Sequence, residues 1–588
     1  MASNTEPVQP SDPAAGRTQP ASPQDPEKSR PSNQIETEEH AIGGDDDDSK
    51  KDHAHYDKID KEVAKYAGAE AVYISPEEST RLRKMIDKRV LAIMITTYFL
   101  QAIDKGTLSF AYVLFTCTRQ CSWFQWRRRG ANVSLVGLLW VCLQIRDLRF
   151  LMVHEKEWDG LLIGGRRNPG PQWPWLTTCV YIGILFVEYP QNYLIARLPV
   201  AKYLSFSIVA WGIVLGCHAA CKDLAGLITV RTLLGIFESA CQPAFVVLSS
   251  MWYRREEQAS RVTYWYMMNG AQQIVGGLLA YCFTLISSGP LKNWQWLFLS
   301  YAIISVIYGV FVGWWMPDSP MRAKCFSEED KRLMVERVRD NQTGIQNRQF
   351  KRHQAVEALK DPQTWCYAGI QFCTTFPTSG LGAFANVVIK GNFGFNTLQT
   401  QLLAMVLGFY IIFVLLGSVY LVKKWNQNIF VMLGFVVPSF VGTILLMTIP
   451  NTNFSTAVGL LICYYITLSF WSAQTLGLSM MSRNVAGQTK KTIVIANNFI
   501  WWSAGNAAGS QVFLAREAPK YFTAFASHIG CYALLVIILI FFRWHLSREN
   551  KRRDNLAAAG VREAADDRMV HAFEDLTDRE NPNFRYVL

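Results

Sequence analysis

The sequence contains no G-x-x-x-x-G-K-[ST] phosphate loop, no H-E-x-x-H and no G-x-S-x-G. Their absence removes the common signatures of ATP use, of a zinc protease and of an activated serine. The 13 cysteines show no zinc-ligand spacing. Cys117 and Cys121 form the nearest loop pair, and most of the others sit in apolar runs, where a thiol behaves as a small hydrophobe. Neither a metal nor a cofactor is expected. Residues 1–80 lack a hydrophobic signal core and any periodicity, and they are rich in Pro, Ser, Asp and Glu with a GGDDDD run. That composition reads as a disordered cytosolic tail, which leaves the first membrane span to act as an uncleaved anchor.

Long apolar runs, by contrast, are abundant. Half of the 588 residues are hydrophobic, and the mean hydropathy of +0.09 is low only because polar ends dilute very apolar middles. A hydrocarbon layer about 30 Å thick needs roughly 20 such residues of helix. Runs of that kind fall at 90–114, 174–195, 203–221, 223–251, 263–288, 294–316, 366–389, 402–421, 429–449, 455–480, 492–514 and 525–542. The predicted fold is an all-α integral membrane protein with twelve transmembrane helices in two six-helix bundles, 81–316 and 365–543. Between them, 317–364 reads as a central cytosolic loop in which Ser327 and Asp330 open an amphipathic helix as a capping box. Residues 544–588 read as a cytosolic C-terminal tail.

Lys and Arg concentrate in alternate loops: Arg197 and Lys202; Arg254, Arg255 and Arg261; Arg322 to Lys360; Lys423 and Lys424; Arg483, Lys490 and Lys491. The positive-inside pattern then places both termini in the cytosol. It also accounts for the formal net charge of +11 by attraction to anionic inner-leaflet lipid. Nucleic-acid binding is not needed to explain that charge. Residues 116–172 break the pattern: this first outer loop carries three consecutive arginines and is rich in Trp, Cys and Gly. It reads as translated non-coding sequence or a frame error, with a genuine lineage-specific loop as the alternative. The sequons at Asn341 and Asn453 fall in a cytosolic loop and close to the membrane, where a glycan is not expected.

Ionisable residues are scarce inside the runs, and a charge at bilayer depth costs at least ~2.5 to 3.5 kcal/mol. Away from the ends of the runs they are Asp104 and Lys105 in the first, Glu188 in the second, and Arg231 and Glu238 in the fourth; the second half has none. At 1.5 Å per residue, Arg231 lies about 12 Å, Asp104 about 15 Å and Glu238 about 22 Å below the outer face. Arg231 and Glu238, seven residues apart, share a helix face. Two readings stand side by side: charges that neutralise one another and lock helices, or a polar cavity where cations hold an anion and a carboxylate carries a proton. Glu188, beside Pro190 near the inner end of its helix where water or snorkelling could solvate it, reads as structural rather than functional. His218 and His528, near span ends, read as interfacial. Amides also cluster: Asn269, Gln272 and Gln273; Gln474 beside Trp471; Asn497, Asn498 and Asn506. They either join helices or hydrogen-bond a substrate.

Several stretches together resemble the fungal allantoate permease family, in the anion:cation symporter branch of the major facilitator superfamily. They are "YFLQAIDKGTLSFA" (98–111), "FVEYPQNYLIARLPVAKYL" (186–204), "RTLLGIFESACQPAF" (231–245), "MWYRREEQ" (251–258), "MPDSPMRAKCFSEED" (316–330), "VERVRDNQTGI" (335–345), "NVAGQTKKT" (484–492) and "NPNFRYVL" (581–588). The resemblance implies alternating access by rocking bundles and proton-coupled uptake of a small organic anion such as allantoate, ureidosuccinate or a carboxylate vitamin, at the plasma membrane. It implies that spans 1, 4, 7 and 10 line the cavity, bringing Asp104, Lys105, Arg231 and Glu238 together. Arg231 and Lys105 are then expected to bind substrate charge, with Asn269, Gln273, Gln474 and Asn498 beside them, and Asp104 and Glu238 to couple protons. The acidic and glycine positions usual between spans 2 and 3 are replaced here by "ARLPVAKY", so gating contacts attributed to them do not carry over. The alternatives are a non-transporting nutrient sensor of the same fold, or a non-functional product if 116–172 is translated.

Overall fold

A computed structural model describes residues 74–107, 173–221, 223–284, 291, 293–339, 341, 350–391, 397–513, 517, 521–558, 575–581 and 583–588. Residues 116–172 and most of the expected N-terminal tail lie outside the described residues.

The described residues are helical throughout, apart from turns and an extended C-terminal segment. Helix α1 (Pro76–Ile86) passes through a π-helical turn, Asp87–Leu91, into α2 (92–107). Ser75 caps α1, its hydroxyl accepting from the Glu78 amide at 3.2 Å, and Pro76 suits the first turn, where its missing N–H costs nothing. Residues 76–80, expected to be tail, are therefore helix. There follow α3 (Trp173–Arg197), α4 (Val200–Cys217), α5 (Leu224–Glu238), α6 (Cys241–Trp252), α7 (Arg255–Tyr266), α8 (Met268–Thr284) and α9 (Asn293–Trp315). The connecting loop forms α10 (Glu328–Arg339) and α11 (Arg352–Lys360). As expected, Ser327 caps α10: its hydroxyl accepts from the Asp330 amide at 3.1 Å and donates to the Asp330 carboxylate at 2.8 Å.

The second set is α12 (Pro362–Gly391), α13 (Thr397–Trp425), α14 (Asn428–Thr448), α15 (Phe454–Thr467), α16 (Trp471–Asn484), α17 (Gln488–Gly509) and α18 (Phe522–Ala558). Among the described residues seven stretches are long and apolar enough to cross a membrane: Val200–Ala220, Leu224–Trp252, Trp294–Trp315, Leu402–Trp425, Asn428–Thr448, Phe454–Asn484 and Phe522–Leu556. Leu224–Trp252 joins α5 to α6 across a break at 239–240, and Phe454–Asn484 joins α15 to α16 through a 3-10 turn, Leu468–Phe470. At the first break Pro243 has no N–H to return to the Ser239 carbonyl, and the helix restarts just before it.

The helices before α10 pack mainly on one another, α4 on α9 and α3 on α5; those after α11 do likewise, α12 on α17 and α18. The two sets meet where α3 lies on α17 and α8 on α13. At the second crossing a Cβ on Gly270 would come 2.6 Å from the Gly408 carbonyl oxygen, and one on Gly408 would come 2.5 Å from that of Gly270. Only glycine permits this approach of two backbones.

One end of the bundle gathers α1, α10, α11 and the C-terminal segment. Here the "PDSP" stretch has a mechanical role. Pro199 stands at the N-cap of α4 without a capping side chain, and Asp318 supplies the acceptor instead, at 3.1 Å from the Ala201 amide and 3.3 Å from that of Lys202. Asn341 of the sequon is buried, donating to the Tyr253 carbonyl at 2.9 Å and accepting from the Arg255 amide at 2.8 Å. That amide is committed to the fold.

Candidate functional site

Helix α2 carries Asp104 and Lys105, and α5 carries Arg231 and Glu238, the last residue before the break. The Lys105 ammonium stands 3.2 Å from Glu238 Oε1. Asp104 lies within electrostatic reach of Glu238, Arg231 and Lys105, with the Trp211 indole beside it. Asp104 and Glu238 are each 2 % exposed and Arg231 3 %. The four charges expected to meet therefore do meet.

The set is not self-satisfied. Lys105 and Glu238 pair, but among the described residues neither Asp104 nor Arg231 has an ionic partner within 4.0 Å. Both Asp104 oxygens, and Nε and Nη2 of Arg231, have no hydrogen-bond partner there either. Burying ions without partners costs several kcal/mol each, so such groups persist where something else completes them. The helix break adds an acceptor: Gln101 reaches the freed Glu238 carbonyl at 3.4 Å.

Aromatic rings wall the charges. Tyr98 packs against Trp265, Tyr266 and Phe245 at ring separations of 4.9, 5.6 and 6.4 Å. Two contacts cross to the second set: Lys105 lies over the Trp502 ring at 4.8 Å, and Tyr266 meets Trp471 edge-on at 6.3 Å. Trp471 follows the 3-10 turn in the second broken helix, so both breaks face the same region. Discontinuous helices expose backbone polar groups where a solute binds.

The amides divide. Asn269 donates to the Tyr98 hydroxyl at 3.0 Å and to the Tyr266 carbonyl at 2.8 Å, and so is engaged in holding the aromatic wall. Gln273 lies against Gly408 where α8 crosses α13. Gln474 Oε1, Asn497 Nδ2 and Asn498 Nδ2 are buried without a partner among the described residues. Asn506 donates to the Trp502 carbonyl at 2.8 Å.

Glu188 sits as a structural residue would, but not by solvation: it is buried, and Asn192 donates to its Oε1 at 2.8 Å, one helical turn away. Two expectations are corrected. His218 and His528 are not interfacial, since both are fully buried. His218 stacks on Phe298 at 5.1 Å with an interplanar angle of 4°, and Arg231 approaches the same ring at 6.0 Å. His528 is boxed by Phe376, Phe513 and Phe525. Trp211, Phe298 and Trp502 had no sequence signal beyond being aromatic in an apolar run; only packing brings them to the charges.

A groove of ≈ 450 Å³ between α3 and α17, lined by Tyr189, Tyr193, Arg197, Phe350, Thr492 and Ile493, is nearly apolar and includes none of the four charges. The acidic trio Glu357, Asp361 and Asp578 has the spacing of a cation site. Its centre is taken by Lys490, whose ammonium lies 2.8, 2.7 and 2.8 Å from the three carboxylates.

Residues 166–510 match the Major Facilitator Superfamily family profile. The chain is 30 % identical to the allantoate permease of Saccharomyces cerevisiae over 544 residues, covering 90 % of this chain and 91 % of that one. It is 29 % identical to the thiamine pathway transporter THI73 of the same yeast, covering 89 % of each. Among solved structures, the proton:xylose symporter XylE superposes with a TM-score of 0.51 at 12 % identity, over 77 % of this chain and 95 % of that one.

Proposed function

The chain belongs to the major facilitator superfamily, and from that premise we propose that it is a plasma-membrane symporter that brings a small organic anion into the cell together with protons. Its relatives are fungal transporters rather than enzymes. The bilayer is its environment, and its substrate is a small solute. In this reading the chain crosses the membrane twelve times in two bundles of six, with the end bearing the C-terminal segment in the cytosol.

The observation that carries the proposal is Arg231, buried with two guanidinium nitrogens unpartnered beside an acid that is equally alone. A carboxylate-bearing solute supplies what Arg231 lacks. Proton coupling follows from the Lys105–Glu238 pair. While Glu238 is ionised, it holds Lys105 at 3.2 Å. A proton arriving on the Glu238 carboxylate removes the attraction and frees the ammonium to join Arg231 on the anion. Loss of the proton re-forms the pair and releases the anion. Asp104, within reach of all three, is the second proton carrier. Gln474 and Asn498 offer hydrogen bonds from the second set, so the solute bridges both halves; Asn269 and Gln273 act at one remove, setting the aromatic wall and the crossing of α8 with α13.

The test is uptake of labelled allantoate at acidic pH, with and without a protonophore, in host cells expressing the chain with and without residues 116–172. Accumulation that the protonophore abolishes is expected. Arg231→Ala is expected to remove uptake while the protein still reaches the cell surface; retained uptake would refute its role.

A further inference from the structure

Lys490 and Lys491 are neighbours at the start of α17, yet their surroundings are opposite. Lys490 has three carboxylates around its ammonium. Burial opposes its charge, but Asp578 and Asp361 outweigh burial and hold its pKa above the ordinary lysine value. Lys491, one residue on and facing another side of the helix, is 6 % exposed, and among the described residues its ammonium has the Ser482 carbonyl alone, at 3.4 Å.

Two arginines stand near it. Arg483, 5 % exposed, donates to the Ser479 carbonyl at 3.3 Å and to Asn428 Oδ1 at 2.8 Å. Arg255, from the first set of helices, donates to the Arg585 carbonyl at 2.9 Å and lies over the Phe584 ring at 4.4 Å, while its Nε is buried without a partner. Burial first and Arg483 second press the Arg255 pKa down to about 10; burial and then Arg255 press that of Lys491 to about 7. Arg255 thus stands within electrostatic reach of both Arg483 and Lys491. Among the described residues none has a carboxylate within 4.0 Å. Asp578 acts on Arg255 from farther off, but its oxygens are engaged by Lys490 at 2.8 Å and by the Tyr586 hydroxyl at 2.7 Å. Arg483 and Lys491 are buried and Arg255 is half-buried, and positive groups so placed with no carboxylate beside them are costly unless an anion arrives.

We propose that Arg255, Arg483 and Lys491 form a second anion site, between the two sets of helices at the end covered by the C-terminal segment, which takes a small oxyanion. It is separate from the Arg231 cluster: the helix α6 between Glu238 and Arg255 alone spans about 18 Å. Arg255 comes from one set and the other two from the second, and Ser482 joins the sets beside them by donating to Gln258 Oε1 at 2.9 Å. Parting of the sets at this end would pull the site open, so the anion binds one arrangement in preference to the other. That the natural occupant is the transported carboxylate on its way out rests on the transport reading above; the existence of the site does not.

The experiment is thermal unfolding of the purified full-length protein in lipid nanodiscs, followed by tryptophan fluorescence. Inorganic phosphate and, separately, acetate are titrated at constant ionic strength against chloride. Saturable stabilisation by at least one of them is expected for the unaltered protein and for Arg231→Gln. In Lys491→Gln and Arg483→Gln the apparent affinity is expected to fall by roughly tenfold or more. Lys491→Gln leaves the Arg483 hydrogen bonds in place, so it remains informative if Arg483→Gln fails to fold. Stabilisation by neither anion, equal stabilisation in Lys491→Gln, or loss of the effect in Arg231→Gln alone would overturn the proposal. The last outcome would assign the anion to the central cluster. Because phosphate binding is read without transport, a negative uptake assay and a negative titration remain separate results.

Discussion

At the scale of single residues, the chemistry rests on which charges are paired and which are not. Glu238 holds Lys105 and can release it, so the protonated acid and its neutral amide analogue should behave alike. Glu238→Gln is expected to keep anion binding but to lose the dependence on protons. The steady-state ratio of internal to external anion, measured across external pH 5 to 7, roughly the window of an acid-driven uptake system, should become flat and fall to equilibration. A ratio that still rises with acidity would refute the assignment. Asp104, Lys105, Arg231 and Glu238 were all legible in the sequence, because a charge inside an apolar run announces itself by its cost. Their aromatic surroundings were not legible. Tryptophan in a membrane helix is common at interfaces and in cores alike, and nothing in the spacing of Trp211 or Trp502 separates these from a place beside an ion. The two histidines were misplaced, and water was granted to Glu188 too freely, for a related reason: distance along a helix gives depth, but the packing of neighbours decides whether water reaches that depth.

At the scale of elements, helix positions were readable and helix ends less so. Residues 76–107 form one helical run through a π turn, beginning before the expected first span, and α18 continues to Ala558, well past residue 542. Amphipathic turns outside the bilayer carry no hydropathy signal. The C-terminal residues are the larger surprise, since a polar extended stretch reads as tail. Instead, Phe584 and Tyr586 are buried, Asn484 exchanges hydrogen bonds with Val587 at 2.9 and 2.8 Å, and the Asn428 amide and side chain both donate to the Leu588 carbonyl, at 2.7 and 2.9 Å. Arg553 reaches Phe584, Asp578 and Tyr586. The partners on Asn428 and Asn484 lie more than a hundred residues away along the chain and those of Arg553 some 25 to 33, beyond the reach of local sequence reading. Ending the chain at residue 574 would strip these acceptors and two buried rings, a loss on the order of 5 kcal/mol. Much lower surface abundance is expected, measured by biotinylation; normal abundance would show the segment to be dispensable for folding.

At the scale of the whole molecule, polar contacts join the two sets of helices at both ends. At the end away from the C-terminal segment, Thr178 of α3 meets the Ser510 hydroxyl at 2.8 Å, and Gln511 donates to Thr178 at 2.8 Å. At the other, Ser482 meets Gln258 and Arg255 meets the C-terminal segment. If transport requires these ends to part in turn, a disulfide across the first should stop it. Thr178→Cys with Ser510→Cys is expected to transport under reduction, to fall silent on oxidation, and to recover with dithiothreitol. Uptake that persists after verified cross-linking would exclude opening at that end. Between the ends lies the crossing of Gly270 with Gly408, where each glycine lies against the other's carbonyl, with the Ile274, Gln273 and Ile412 side chains at its flanks. With the two backbones in direct contact there, the helices can roll on one another as a shaft rolls in its bearing. The pace of the cycle is then set by what is gripped at the ends and the centre, and not by friction at the pivot.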